Sequence, residues 1–345
     1  MRATTLLKRV TFSMNLSVSF VSFMNFIRTR SAILLLLAFS FTAMGIAATD
    51  AAAADVPAQD ERPLVVCSLF PQYDFVRQIA GDRVELKLLL PPGTESHAFD
   101  PRPSDIMTLN RADLFVFTGK QMEPWADRIL AGLENKGLLV VDASSGITLK
   151  KNHDHEHEHE THGHGDHHHG YDPHIWLSPV LASRMVDNIL TGLITKAPEH
   201  EAEFTANAET YKAKLARLDQ EFQDIVRAGK RHTLAFGGHF AYRYFLEQYR
   251  LNWVTAYDTC SADGEPGVRR ITQVIQYIKE HDIPCIYHEE FVEPRVARSI
   301  ADQAGVELLE FSTAHNVTKE ELESGVTYLD IMNRNRDNVA RGLCQ

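Results

Sequence analysis

The sequence has no surplus of basic residues. It carries 35 Lys and Arg against 46 Asp and Glu, which gives a formal net charge of −11 at pH 7. A nucleic-acid-binding protein needs a basic surface to neutralise phosphates, so we expect no nucleic-acid partner. An acidic surface suits a collector of cations, but many soluble proteins are acidic and the charge alone does not establish that role.

Cysteine is scarce, and no two cysteines form a Cys-x-x-Cys pair. The four cysteines lie far apart along the chain, at Cys67, Cys260, Cys285 and Cys344. Thiolate zinc sites use closely spaced cysteine pairs, so this spacing argues against a cysteine zinc site. Four cysteines allow three disulfide pairings, and the spacing does not choose among them.

Motifs of common hydrolases are also missing. There is no Gly-x-Ser-x-Gly, and His-Glu-x-x-His occurs only inside a run of histidines and acids at residues 153–169. A catalytic zinc keeps an open coordination position beside a general base, for which Glu95 or Glu289 is available. Four protein ligands would leave no room for an attacking water. We therefore expect a binding protein and not an enzyme; a zinc hydrolase and a metal-storage or adhesin protein are the alternatives.

Long apolar runs are confined to the N-terminus. Residues 1–50 predict a signal peptide with an upstream segment, because Arg28 and Arg30 precede the apolar run 32–48. Cleavage is expected within residues 47–54, and no cysteine lies there to carry a lipid anchor. A permanent transmembrane anchor is the alternative. The signal peptide predicts export to the periplasm, where disulfides are permitted.

Short apolar strands alternate with helical stretches from residue 64 onward. This alternation favours βαβ units and mainly parallel sheets. Predicted strands occupy residues 64–69, 84–90, 114–117, 138–141, 233–236, 251–256, 285–287 and 306–311.

Helical sequence separates the two sets of strands. Ser178 followed by Pro179 is a typical helix start, and apolar residues spaced by three, four and seven predict a long helix over residues 199–228. We expect an α/β fold of two pseudo-symmetric lobes with mainly parallel sheets, joined by a long rigid helix. The lobes span residues 61–178 and 231–345, with linking helices in residues 179–230.

Residues 153–169 hold nine His and five Asp or Glu and no apolar residue. Such a segment cannot bury surface, so residues 151–170 are predicted to be a disordered, solvated loop. Neutral imidazole binds Zn²⁺, Cu²⁺ and Ni²⁺, and a flexible loop is expected to bind several ions weakly. A plain solvated linker and an engineered tag are the alternatives. The expected weak ligands are His153, His155, His157, His159, His162, His164, His167, His168 and His169.

Single histidines in turns are better candidates for a tight site. His97 and His239 each follow a predicted strand, one in each lobe, and His174 precedes the helix that starts at Ser178. Ligands of open α/β sheets bind outside the carboxyl ends of strands. A helix N-terminus disfavours imidazolium, so His239 at a predicted helix start is expected to be the neutral, metal-binding form. Each histidine taken alone reads as a structural or surface residue; their shared placement favours a metal site.

A zinc site usually has four ligands. His315 follows the last predicted strand and is our first choice for the fourth, with Glu310 and Glu289 in reserve. Glu289 and Asp100 are candidates for supporting the ligands by hydrogen bonds. Because imidazoles must lose their protons to bind metal, affinity is expected to fall below about pH 6.5.

Several segments together carry a family resemblance. Gly-Thr-Glu-Ser-His-Ala-Phe-Asp-Pro-Arg-Pro-Ser-Asp at residues 93–105, Asp-Pro-His-Ile-Trp-Leu-Ser-Pro at 172–179 and Gly-His-Phe-Ala-Tyr at 238–242 resemble three metal-ligand loops. These loops belong to the cluster A-I family, the zinc- and manganese-binding solute proteins of ABC importers. Glu265-Pro266 resembles a loop that follows the third, and residues 315–332 resemble the C-terminal region. The similarity covers about residues 64–343.

The resemblance implies a site and a function. One metal would lie in the cleft between two lobes, bound by His97, His174 and His239. Many relatives place a carboxylate at the fourth position, where this sequence has His315. A histidine-rich loop before the second ligand is typical of zinc members, and an all-imidazole site favours zinc over manganese. A manganese- or iron-binding member is the alternative.

The resemblance further implies periplasmic capture of Zn²⁺ and its delivery to an inner-membrane ABC permease. That permease is the implied partner, and an accessory periplasmic zinc chaperone is a second expected partner. We expect the chain to be monomeric. Some zinc relatives carry a disulfide at positions resembling Cys285 and Cys344, so that pairing is expected here.

Overall fold

The computed structural model describes residues 62–97, 99–151, 170–257 and 266–345. The predicted signal peptide, the histidine-rich run 153–169 and Cys260 lie outside these ranges. The first lobe alternates strands and helices: β1 (Leu64–Cys67), α1 (Phe70–Ala80), β2 (Glu85–Leu88), α2 (Pro103–Leu109), β3 (Leu114–Phe117), α3 (Ala126–Gly132) and β4 (Leu139–Asp142).

The first sheet is fully parallel, with the strand order β2-β1-β3-β4. All four residues of β1 and of β3 are buried, as expected for central strands covered on both faces. The order in which strands are added reverses between β1 and β3. The chain passes from β1 to β2 on one side of β1, and the crossover from β2 then places β3 on the other side of β1. Such switch points are where open α/β sheets bind ligands.

Two helices link the lobes. A two-residue antiparallel pair, β5 (Lys150–Lys151) and β6 (Tyr171–Asp172), leads through a short turn into α4 (Pro179–Lys196), and α5 (Glu201–Ala228) follows. Ser178 caps α4 by accepting a hydrogen bond from the Leu181 amide at 3.3 Å, as its sequence predicts. The 28 residues of α5 span about 42 Å at 1.5 Å per residue.

The second lobe repeats the first. Its elements are β7 (Thr233–Phe236), α6 (Arg243–Gln248), β8 (Asn252–Thr255), α7 (Val268–Glu280), β9 (Cys285–His288), α8 (Arg295–Ala304), β10 (Glu307–Glu310), α9 (Lys319–Ser324) and α10 (Tyr328–Cys344). The strand order β10-β9-β7-β8 is again parallel and matches the first sheet strand for strand. The predicted α/β fold of two parallel-sheet lobes is confirmed.

The linking helices are part of the core and not an exposed strut. Helix α5 packs against α1 of the first lobe, against α4 and against α10 of the second lobe. Its buried stripe belongs to one large apolar cluster that also includes residues of both sheets. None of the helices in the described ranges has the length and apolar character needed to cross a bilayer.

A buried ion pair ties α1 to the start of α10. Asp74 is fully buried and accepts hydrogen bonds from Arg77 at 2.6 Å and from the backbone amide of Tyr328 at 2.8 Å. Arg77 also donates to the carbonyl oxygen of Val326 at 2.6 Å. Asp74 therefore satisfies the first backbone amide of α10, and Arg77 binds the backbone two residues before that helix begins.

The disulfide expected between Cys285 and Cys344 is not formed. All three cysteines in the described ranges are free thiols. Cys285 is buried in hydrogen-bond contact with the Tyr287 hydroxyl, and burial raises its pKa to about 11. The Cys344 sulfur instead faces the carbonyl oxygen of Ile225 at 3.9 Å. The pairing implied by the resemblance is therefore not found in this structure, where each of the two sulfur atoms has its own contact.

Candidate metal centre

His97 lies on the loop that leaves β2. Gly93 has a positive φ of 74°, which permits the tight turn before the histidine. Asn316 anchors this loop from the second lobe by donating to the carbonyl oxygens of Pro91 and Thr94, each at 2.8 Å. The Glu95 carboxylate accepts the His97 backbone amide at 2.9 Å. The position of His97 is therefore set by both lobes.

His174 is fully buried between β6 and α4. Its Nδ1 lies 2.8 Å from the Asp172 carboxylate, which also accepts the His174 backbone amide at 2.9 Å. An ionised carboxylate only accepts hydrogen bonds, so Nδ1 carries the proton and Nε2 presents its lone pair. No role was predicted for Asp172, although an acidic residue two positions before a turn histidine is a usable signal.

His239 follows β7 through two glycines. Its backbone amide donates to the Glu289 carboxylate at 3.0 Å. A Cβ on Gly238 would lie 1.6 Å from the other carboxylate oxygen of Glu289, so any side chain there would displace that carboxylate.

The predicted helix-start position of His239 is wrong, since α6 begins only at Arg243. The helix dipole therefore does not explain a neutral ring. Burial, and then the nearby His174, His97 and His315, lower the pKa of His239 well below its ordinary value.

The three rings converge at one point. The Nε2 atoms of His97 and His174 are 3.2 Å apart, and one ring nitrogen from each of His97, His174 and His239 lies within 4.8 Å of the others. Nitrogens about 2.0–2.1 Å from a tetrahedral zinc are separated by about 3.4 Å, so the spacing suits a shared ion. The His239 Nε2 is buried and has no hydrogen-bond partner. Desolvation of the ring and the neighbouring His174 lower the pKa of His97 to about 4.

A cavity of about 100 Å³ encloses this cluster. It is far below the roughly 300 Å³ that small organic ligands need, and it suits an ion. Two larger cavities, of about 630 and 540 Å³, have no histidine among their described lining residues and so offer no comparable donor set. The small cavity is lined by Glu95, His97, His174, His239, Tyr257, Glu289, Glu290, Phe291, Val292, Thr313 and His315.

His315 lies on the wall of the same cavity. It is 6% exposed, and its Nε2 is buried without a hydrogen-bond partner. Burial and the neighbouring His174 lower its pKa to about 4. It does not belong to the group of three mutually close nitrogens, so its role as the fourth ligand stays a prediction.

The three carboxylates proposed as reserve ligands or supporting groups lie in different places. Glu289 lines the cavity and holds the His239 backbone. Glu310 lines a separate cavity of about 200 Å³ together with Glu290. Asp100 is 75% exposed and pairs with Arg128 at 3.2 Å, so the structure places it at the surface and not beside a ligand. The nine weak ligands of residues 153–169 lie outside the described ranges.

A small histidine-walled cavity between two parallel-sheet lobes defines the class of protein: a solute-binding protein whose solute is a metal ion. Comparison with known proteins gives the family. The family model described as ZnuA, zinc-uptake complex component A, periplasmic, matches residues 65–342, and the chain belongs to this family.

Known relatives agree with this assignment. The high-affinity zinc uptake system protein ZnuA of Bacillus subtilis is 34% identical over 279 residues, covering 81% of this chain and 87% of that protein. The zinc-binding lipoprotein AdcA of Streptococcus pneumoniae is 30% identical over 79% of this chain. The match covers 54% of AdcA, so the chain spans about half the length of that relative.

Solved structures share the fold. The metal-dependent lipoprotein YcdH of Bacillus subtilis is 31% identical with a TM-score of 0.71, covering 82% of this chain and 100% of that one. The Zn(II)-bound ZnuA-like domain of Streptococcus pneumoniae AdcA is 27% identical with a TM-score of 0.68, with the same coverage.

Proposed function

We propose that this protein captures Zn²⁺ outside the cytoplasm and delivers it to an ABC permease of the inner membrane. The observation that carries the proposal is the convergence of His97, His174 and His239, which come from three separate loops, on one cavity. The relatives named as zinc uptake and zinc-binding proteins support the choice of cargo.

The donor set favours zinc over manganese. Imidazole nitrogen suits Zn²⁺, whereas Mn²⁺ prefers carboxylate, carbonyl and water oxygens. We propose His97, His174 and His239 as the ligands, with His315 completing a four-imidazole shell from the cavity wall. A filled shell leaves no position for an attacking water, which supports transport and not hydrolysis.

The ligand loops suggest how cargo is held and released. His97 follows β2 of the first lobe, and His239 follows β7 of the second. A small displacement of one lobe against the other would separate these ligands, which is the step a permease could exploit. Within the proposal the chain is a periplasmic monomer with a cleaved signal peptide, and an accessory zinc chaperone is a further partner.

The histidine-rich run is proposed to collect zinc at low affinity. It lies in sequence between β5 and β6, and the pairing of these strands ends two residues before His174. Ions gathered there would be delivered close to the buried ligand.

Metal analysis of the purified protein tests the proposal. After removal of weakly bound ions we expect one zinc per chain. Changing His239 to Ala removes one ligand and should lower the affinity more than about 100-fold, beyond the 10–100-fold that loss of a supporting partner costs.

The matched control is His281→Ala. His281 is exposed at the end of α7, where its ring stacks on Tyr277 at 3.9 Å, so its loss should not change the zinc content. Undiminished tight zinc binding by His239→Ala would refute the proposed site.

A further inference from the structure

A tight turn brings the side chains of Thr313 and His315 together. Ala314, the residue between them, has a φ of 57°, which is costly for a residue with a Cβ, and its amide donates to the Ser312 hydroxyl at 3.1 Å. This geometry places the Thr313 hydroxyl in hydrogen-bond contact with Nδ1 of His315. The Nε2 of the same ring is buried and has no hydrogen-bond partner.

The direction of this hydrogen bond is fixed by Glu290. The Thr313 backbone amide donates to one Glu290 carboxylate oxygen at 2.7 Å, and the Thr313 hydroxyl donates to the other at 2.8 Å. A hydroxyl has a single hydrogen, so towards His315 the Thr313 oxygen can only accept. Nδ1 of His315 must then carry the ring proton, which leaves a lone pair on Nε2.

We propose that Thr313 and Glu290 are positioning residues that hold His315 in the tautomer whose Nε2 lone pair is free to bind the cargo ion. Glu290 acts on His315 mainly through Thr313, because its carboxylate accepts the single hydrogen of the Thr313 hydroxyl. The consequence for zinc rests on the proposed function above. The tautomer itself is a property of the metal-free protein.

Contacts other than those of Glu290 also hold the backbone of the turn. The Thr313 carbonyl accepts the Trp176 indole at 2.7 Å, and the His315 carbonyl accepts the Phe70 amide at 3.2 Å. Asn335 bonds both backbone groups of Ser312, at 2.9 and 2.8 Å. Because these contacts remain when the Thr313 hydroxyl or the charge of Glu290 is removed, such changes should alter the orientation of the imidazole proton before they alter the turn.

Buried carboxylates are costly unless they are hydrogen-bonded. Glu290 is 8% exposed, and burial raises its pKa while hydrogen bonds from Thr313 and the backbone lower it again in part. Glu290 also has a structural role, since it accepts the Thr313 backbone amide, but the side-chain oxygen of Gln could accept that hydrogen bond as well. Only an acceptor without a proton of its own sets the direction of the Thr313 hydroxyl.

Nitrogen NMR of the metal-free protein tests the tautomer directly. At about pH 7.5 a histidine ring is mainly neutral, because this pH lies above the ordinary histidine pKa of about 6.5. We expect a protonated Nδ1 and an unprotonated Nε2, with the signals assigned by their loss in His315→Gln. Thr313→Val and Glu290→Gln should both populate the other tautomer, whereas Thr313→Ser, which keeps the hydroxyl, should not.

Glu310→Gln is the matched control. Glu310 is a nearby carboxylate whose pKa is also raised by burial, but its side chain does not line the metal cavity. Its loss should leave the His315 tautomer unchanged. An Nε2-protonated ring in the unaltered protein, or an unchanged tautomer in both Thr313→Val and Glu290→Gln, would overturn the proposal.

Zinc titration gives the second readout. We expect the affinity to fall about 10–100-fold in Thr313→Val and Glu290→Gln and to be retained in Thr313→Ser and Glu310→Gln. Equal affinity in all four variants would contradict a positioning role. If the unaltered protein bound no zinc, the proposed function would fail, while the NMR result on the metal-free protein would still decide the tautomer.

Discussion

At the scale of the residue, each imidazole of the centre has a neighbour that fixes its position. Asp172 binds the Nδ1 of His174, and Glu289 binds the backbone amide of His239. Burial meanwhile lowers the pKa of His239 and His315, and the pKa of His97, which is partly open to solvent, is lowered by desolvation of its ring and by the neighbouring His174. The metal-free site therefore favours the neutral form of these rings, which is the form that coordinates metal.

These shifts change the expected pH dependence. Protons compete with zinc only below the pKa of the folded, metal-free ligand, and for His97 and His315 that pKa is about 4 instead of the ordinary 6.5. Competition from these two rings should therefore begin below about pH 5, not at the pH 6.5 expected from the sequence.

Calorimetric zinc titration measures this effect. We expect the affinity to change little between about pH 7.5 and pH 6 and to fall steeply below about pH 5. A steep loss already complete by about pH 6 would show that burial does not depress the proton affinity of the site.

The sequence indicated the candidate ligands more readily than the residues that contact them. His97 and His239 could be predicted because both follow strands, and the carboxyl ends of parallel strands meet at one edge. Thr313 and Glu290 could not, since their contacts depend on a turn and on the facing strand end. Asp100 was predicted to support a ligand because it is close to His97 in sequence, but this closeness does not bring its side chain to the cavity.

At the scale of the element, strand ends and the turns after them position the ligands. The helix α4 starts at Pro179 as its capping residues predict, whereas α6 starts four residues after His239. The residues from His239 to Tyr242 lie in the loop before α6, and the spacing of apolar residues does not reveal where this helix begins. Helix α9 has no buried residues, so it left no apolar pattern from which to predict it.

Gly238, in the turn after β7, is predicted to be important for zinc affinity. Gly238→Ala would drive its Cβ into Glu289, displacing the carboxylate that holds the His239 amide. We expect zinc affinity to fall at least about 10-fold, as for loss of a supporting partner.

The matched change is Gly267→Ala. No atom lies within 4 Å of a Cβ at Gly267, so zinc affinity should be unaltered there. Equal affinities in the two variants would argue that the turn after β7 does not position His239.

At the scale of the whole molecule, the lobes share an apolar core, and an ion pair on α1 makes hydrogen bonds to the backbone at the start of α10. Helix α5 packs on α1 and on α10, and Asp74 joins α1 to the start of α10. The two-lobe plan could be predicted from alternating strands and helices. The contact could not, because it joins residues 254 positions apart.

Replacing Asp74 tests this contact. Asp74→Ala leaves the Arg77 guanidinium and the Tyr328 amide without their buried partner, and we expect the free energy of unfolding to fall by about 3 kcal/mol. Asp224 and Arg227 on α5 form an ion pair of the same spacing, but exposed. Asp224→Ala should cost less than about 0.5 kcal/mol. Urea denaturation compares the two, and equal losses would show that the interlobe contact does not stabilise the fold.

A crystal structure of the zinc-loaded protein, with the metal located by its anomalous signal, would show whether the three histidines hold one ion. We expect one strong zinc peak in the cavity between the lobes, about 2.0–2.1 Å from a ring nitrogen of each of His97, His174 and His239. A strong peak elsewhere, or a cavity without zinc in protein that carries one tightly bound zinc per chain, would contradict it.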